Sequence, residues 1–79
     1  MKNKLKVGII SCGMIARSAH IPAYLRFSEY YDIVAVCDIN IVAAKKTAKD
    51  FNIPLFYGDA DEMLENNKLD VVSICSGNM

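Results

Sequence analysis

An α/β fold built on a doubly wound parallel sheet is what this sequence predicts, and three observations carry the prediction. Short β-branched apolar runs alternate with stretches of helical spacing. The runs are apolar at consecutive positions, as in strands buried on both faces. Each run stops at small or turn-forming residues.

Taken in order, Leu5 to Ile10 is the first strand, ending at Ser11-Cys12-Gly13. A helical pattern follows from Met14, with Ile15, Ala19 and Ala23 on one side and Arg17 and Arg26 elsewhere. Pro22 inside that stretch predicts a kink or an early break, because proline removes a backbone donor and crowds the preceding turn. Ile33 to Cys37 is the second strand. Asn40 is placed to cap a second helix whose stripe is Ile41, Ala44, Ala48 and Phe51. Lys45, Lys46 and Lys49 lie beside or opposite that stripe, toward the end where the helix dipole favours cations. Asn52 and Pro54 supply its stop.

Leu55 to Tyr57 reads as a brief third strand, and Asp59, Asp61 and Glu62 open a short helix closed by Asn66-Asn67. Val71 to Cys75 is the fourth strand. The order β-α-β-α-β-α-β with right-handed crossovers predicts the spatial strand order 3-2-1-4.

Composition narrows the function classes. The 79 residues are 53% apolar and 23% charged, too apolar for a disordered chain. Nine Lys plus Arg balance nine Asp plus Glu. That leaves no net basic surface for releasing counterions from nucleic acid or an anionic membrane, so neither is expected as main partner. No run approaches the roughly 18 apolar residues of a membrane span. Lys2, Lys4 and Lys6 before Val7 to Ile10 imitate a secretory signal, but the run is short and interrupted by glycine. The mature protein is therefore expected to begin here.

Cys12, Cys37 and Cys75 are odd in number and lack C-x-x-C spacing, which favours small buried hydrophobes over a disulfide scaffold or zinc site. A reducing, cytoplasmic compartment fits them. No metal site is expected.

A doubly wound sheet binds ligands beyond the carboxyl ends of its strands, where the crossover direction reverses, here between strands one and four. Ser11-Cys12-Gly13-Met14-Ile15-Ala16 turns from strand one into the first helix and fits G-x-G-x-x-G/A at two of three small positions, with Ser11 in place of the first glycine. Gly13 would admit a pyrophosphate close to the backbone. Ala16 would let helix and strand pack closely, and the free amides at Met14 and Ile15 would form the anion site.

Small residues near a strand end also serve packing alone, so the loop needs context. Asp38 provides it, ending strand two about 25 residues after Gly13, close to the roughly 20 expected. Its carboxylate can accept from two ribose hydroxyls and repel a 2′-phosphate. Ile39 and Asn40 follow, with no adjacent Arg or Lys, so NAD is expected over NADP. The alternative for Asp38 is a solvated residue helping to cap the second helix. Ser76-Gly77-Asn78 stands on the ligand side of the switch point, where Ser76 and Asn78 could reach a ribose or an adenine edge; a chain end with no ligand role is the other reading. His20, with no partner acid or thiol, reads as a packed or capping side chain.

These residues resemble a known family. Val7 to Ala16, then His20-Ile21-Pro22-Ala23, then Ile33 to Asp38 and Asp70 to Cys75 are similar to the amino-terminal Rossmann domain of the Gfo/Idh/MocA oxidoreductases, which include glucose–fructose oxidoreductase and inositol dehydrogenase. The resemblance implies NAD(P)-dependent hydride transfer on a sugar, inositol or related polyol. It implies that Gly13, Met14 and Ile15 meet the pyrophosphate, Asp38 the adenosine ribose, and Ser76 and Asn78 the far side of the cofactor.

Three departures stand out. Ser11 replaces a glycine, costing about 1–2 kcal/mol if the backbone there is left-handed. Gly77 stands where the family commonly has proline. The family's Glu-Lys-Pro segment and substrate domain are not among these residues. Residues 1–79 are accordingly expected to form a partial dinucleotide-binding domain, with no assignable catalytic residue and no turnover alone. An apolar edge at strand four then predicts self-association. The rival functions are a non-catalytic dinucleotide-sensing or structural domain, and a methyltransferase using S-adenosylmethionine.

Overall fold

A computed structural model of the chain describes residues 3–14 and 16–75. Four parallel strands form one sheet in the order β3-β2-β1-β4: β1 is Leu5–Ile10, β2 Tyr31–Cys37, β3 Leu55–Tyr57 and β4 Val71–Ile74. The predicted 3-2-1-4 order is thus observed. Strand β1 lies inside the sheet between β2 and β4, and its Val7 and Ile9 are fully buried.

Two helices match their sequence signals closely. Helix α2, Ile41–Phe51, is capped by Asn40, whose side-chain oxygen accepts from the amides of Val42 at 3.1 Å and Ala43 at 3.3 Å. It closes at Asn52, which adopts a left-handed conformation with φ of 57° and donates its amide to the last turn. Helix α3, Ala60–Asn66, is opened by Asp59, which accepts from the Asp61 amide at 3.4 Å.

The first helical segment is not one regular helix. Ala16–His20 forms a π-helical turn, and α1 is the separate six-residue helix Ile21–Arg26. Pro22 lies in the first turn of α1, where its missing donor removes no intrahelical bond. The break expected near Pro22 is thus observed, as the change from π-helical to α-helical pairing at Ile21. His20 occupies the N-cap position of α1, but its side chain makes no capping bond. The capping reading of His20 is not realised.

The two faces of the sheet differ. Val7, Ile9, Ile33 and Val36 pack with Ile21, Ala48 and Ile53 on the face carrying α1 and α2. Ala35 and Cys37 pack with Met63 of α3 on the other. Plain alternation would send Ile33, Ala35 and Cys37 to one side. The pairing runs Val7 with Ile33 and then Gly8 with Ala35, leaving Val34 as an extra residue. This bulge reverses the phase of β2.

The expectation of strands covered on both faces fails at the sheet's flanks. Val72 and Ile74 of β4 are 39% and 71% exposed, and Leu55 and Phe56 of β3 are each 40% exposed. The physical reason is coverage: among the described residues α3 packs chiefly on β2 and β3, with Met63 reaching Gly8 of β1, and does not pack extensively on β4. No helix among the described residues is long and apolar enough to cross a membrane.

Candidate functional site

The carboxyl ends of β1 and β2 meet at one shelf. The chain leaves β1 through Ser11, whose amide donates to the Cys37 carbonyl at 2.7 Å, continuing the ladder one residue past the strand. Ser11 has a φ of 78°, in the left-handed region where a Cβ is strained. The fingerprint's first position therefore does require the conformation that glycine supplies. Ser11→Gly is expected to raise stability by about 1 kcal/mol, since relief of the strain exceeds the entropy glycine adds to the unfolded chain. Denaturant midpoints of the two chains check this, and a lower midpoint for the glycine chain would refute it.

Cys12 follows, with its amide donating to Asp38 Oδ2 at 2.8 Å across 26 residues of sequence. The other carboxylate oxygen, Oδ1, accepts from the Asn40 amide at 2.9 Å. Asp38's own amide donates to the Tyr57 carbonyl at 3.1 Å. The acid is thus fixed by three strands' worth of backbone, and each oxygen retains acceptor capacity beyond the bond it already makes. Asp38 does steady the entry to α2, as the capping alternative had it, but the helix N-cap itself is Asn40.

Gly13 does not need positive φ, and a Cβ built on it would meet no atom within 4 Å. Open space, not backbone strain, is what this glycine provides. Met14 and Ile39 flank the opening, 81% and 95% exposed respectively. Behind Gly13, the Arg17 amide donates to the Gly13 carbonyl at 3.1 Å and Ser18 Oγ donates to the Met14 carbonyl at 2.7 Å. These bonds tie the π-helical turn to the bend.

The cysteines are all free and buried. Burial pushes the Cys12 thiol up to about 11, with the Thr47 hydroxyl opposing the rise and Asp38 adding to it, and the thiol donates to the Cys37 carbonyl at 3.5 Å. Desolvation raises Cys37 and Cys75 as well. All three therefore stay protonated at neutral pH and serve as small hydrophobes.

Of the eight site residues expected from sequence, Ser11, Gly13, Met14, Asp38 and Ile39 come together on this shelf. Ile15, Ser76 and Asn78 lie outside the described residues. Cys75, just before them, donates its amide to the Ile10 carbonyl at 2.9 Å, so the chain passes the shelf on the β4 side. The shelf is open and shallow. A groove of about 460 Å³ lies at the far flank, lined by Lys49, Ile53 and Phe56, and holds none of these residues.

Sequence reasoning missed a cluster beneath the bend. Arg17 reaches α2, donating to Thr47 Oγ1 at 2.7 Å and to Asp50 Oδ2 at 2.5 Å. Its guanidinium stands 5.4 Å from the centre of the Phe51 ring. The available signal was Thr47 itself, a hydroxyl adjoining Ala44 and Ala48 on a buried stripe, where a polar group needs a partner.

The geometry has counterparts. Residues 5–79 match the GFO_IDH_MocA family model, described as an oxidoreductase family with an NAD-binding Rossmann fold. The chain is 35% identical over 74 residues to D-glucoside 3-dehydrogenase of Escherichia coli (strain K12), covering 94% of the chain and 21% of that protein. Among solved structures it is similar to myo-inositol dehydrogenase from Lactobacillus casei in complex with NAD(H) and myo-inositol. That match has a TM-score of 0.83 and 32% identity, and covers 95% of the chain and 22% of the enzyme. It also shares the fold of the WlbA dehydrogenase from Chromobacterium violaceum, with a TM-score of 0.85, at 22% identity and with 96% of this chain and 22% of that one covered. The chain spans about a fifth of the length of these relatives. By a match that runs from the first strand to the last residue, the chain belongs to the Gfo/Idh/MocA oxidoreductases, within their NAD-binding Rossmann domain.

Proposed function

We propose that this chain is the NAD-binding portion of an oxidoreductase that moves hydride between a nicotinamide cofactor and a sugar, inositol or related polyol, and that it prefers NAD to NADP. One observation carries the reading: the Asp38 carboxylate is hydrogen-bonded to the amide of Cys12, inside the turn. An acid for ribose hydroxyls and a bend open toward a diphosphate thus form a single unit. The residues present fit the cofactor, because Gly13 leaves room for a phosphate where a side chain would otherwise stand.

In this reading Gly13 and the Met14 and Ile15 amides receive the diphosphate. Asp38 accepts from the adenosine ribose, Ile39 offers an apolar surface to the adenine, and Ser11 shapes the entry to the turn. Ser76 and Asn78, which follow β4 in the sequence, are assigned to the far side of the cofactor by the family resemblance alone. Bound NAD would supply the hydride-accepting ring, while the proton of the alcohol is handled by residues outside this set, so the chain alone binds without turning over. The polyol assignment draws on D-glucoside 3-dehydrogenase and myo-inositol dehydrogenase among the relatives.

Calorimetric titration with NAD, NADP and S-adenosylmethionine tests the reading, with NAD expected to bind most tightly. Asp38→Asn keeps an acceptor for the Cys12 amide but removes the charge. It is expected to weaken NAD about tenfold, the size of a lost charge-assisted hydrogen bond, and to narrow the gap to NADP. Unchanged selectivity would remove Asp38 from the site.

The exposed apolar side chains Val72 and Ile74 lie on β4, the strand at one edge of the sheet. We infer that the chain self-associates there, by strand pairing or exchange of an element. Light scattering should give a mass that rises with concentration; a strictly monomeric mass at high concentration would refute it.

A further inference from the structure

The even balance of charge along this chain conceals a separation by face. Helix α2 carries Lys45, Lys46 and Lys49 against a single acid, Asp50, while α3 carries Asp61, Glu62 and Glu65 and no base. All seven residues are exposed. Asp50 is engaged by Arg17 and Lys46. Lys45, Lys49 and the three acids of α3 have no ion-pair partner among the described residues. The fold keeps the two groups apart, because α2 packs on one face of the sheet and α3 on the other.

The two outer surfaces match in spacing as well as in sign. Lys45 and Lys49 stand one helical turn apart, as do Asp61 and Glu65, so each pair spans about 6 Å. Leu64, 44% exposed, follows Asp61 by three residues and shares its side of α3. Beside Lys45 and Lys49 runs the groove of about 460 Å³, with Ile53, Pro54 and Phe56 as its apolar wall. An acid-flanked leucine is the complement of an apolar groove with a basic rim.

We propose that the α3 face of one copy of this chain docks on the α2 face of another, with Leu64 in the groove and Asp61 and Glu65 against Lys45 and Lys49. A second copy is the occupant because one chain presents both halves of the match, equally spaced, on opposite sides of its sheet. Such a contact is heterologous: every docked copy leaves an α2 face and an α3 face free at the ends, and the assembly grows as a string. The contact is separate from the β4 edge and does not rest on the NAD reading.

Light scattering on the full chain tests this. A contact this small is weak, so the concentration series should reach about millimolar chain. The average mass should climb past a dimer at about 0.01 M salt. It should fall back at about 1 M, where the Debye length shrinks from about 30 Å to about 3 Å. Association through Val72 and Ile74 buries apolar surface and should persist at high salt, which separates the two modes. Lys45→Glu with Lys49→Glu should lower the low-salt association constant about tenfold, and so should Asp61→Lys with Glu65→Lys. The chain with all four substitutions exchanges the signs of the two faces and restores zero net charge. It should recover the parent constant within about threefold. Leu64→Gln leaves the charge unaltered and should lower the constant about fivefold by removing the apolar contact.

A parent chain that is monomeric at low salt, or whose mass does not respond to salt, overturns the proposal. So does a fourfold variant with the parent's circular dichroism that fails to recover association. Should the fourfold variant not fold, Leu64→Gln decides: an unchanged constant overturns the docking and a reduced one supports it.

Discussion

A Gly13→Val chain is expected to melt at or slightly above the parent temperature and to lose NAD affinity by about a hundredfold or more, equivalent to roughly 2.7 kcal/mol. The two effects separate because Gly13 holds a conformation that other residues adopt and faces open space on its Cβ side. A side chain there strains nothing in the fold. It reduces the freedom of the unfolded chain, a stabilisation of about 0.4–1 kcal/mol in comparable glycine replacements. The same side chain would occupy the approach to the backbone that a diphosphate needs. Retained NAD binding in a normally folded Gly13→Val chain would mean that the diphosphate lies elsewhere, and the cofactor reading would lose its geometric basis. Calorimetric titration and a thermal melt on the same preparation give both halves of the result.

The largest loss of stability is expected from Met63→Ala, about 2–5 kcal/mol. Met63 is the single buried residue of α3, fully enclosed against Ala35 and Cys37. Its thioether also lies against the space left by Gly8: a Cβ on that glycine would come within 3.1 Å of Met63 Cε and 2.6 Å of Leu69 Cδ1. Glycine at position 8 is thus the socket for this anchor. A domain this short has only about 5 kcal/mol to lose, so the alanine chain should be largely unfolded or should shed α3 at room temperature. Met63→Leu, close in volume, should cost less than about 1.5 kcal/mol. Urea unfolding curves distinguish these outcomes. A loss below 1 kcal/mol for Met63→Ala would show that α3 is held by something other than this contact.

The elements most legible in the sequence were those whose signals are local. Asn40 caps α2 because its short side chain reaches amides two and three residues ahead, and that geometry is written in the adjacent residues. Asn52 ends the same helix because it tolerates the left-handed conformation. The strand order followed from the alternation of elements and the handedness of crossovers. The irregularity of the first helix was also legible: Pro22 predicted a kink or break, and the structure changes from a π-helical turn, Ala16–His20, to the α-helix Ile21–Arg26 at the residue before the proline.

By itself, then, the sequence determined the class of fold, the order of strands, the helix caps and the identity of the acid and glycine that make the shelf. Each of these depends on neighbours along the chain or on rules of handedness that apply to any such chain. The tertiary structure alone decided three things. It set the bulge at Val34, which reverses the phase of β2 and turns Val36, and beyond it Asp38, to the side of the bend. It joined Cys12 to Asp38 and Arg17 to Thr47, contacts spanning 26 and 30 residues. It also left Val72 and Ile74 of β4 exposed. None of these could be read from spacing, because each depends on where separate elements come to rest against one another, and packing of the two faces, not local preference, fixes that arrangement.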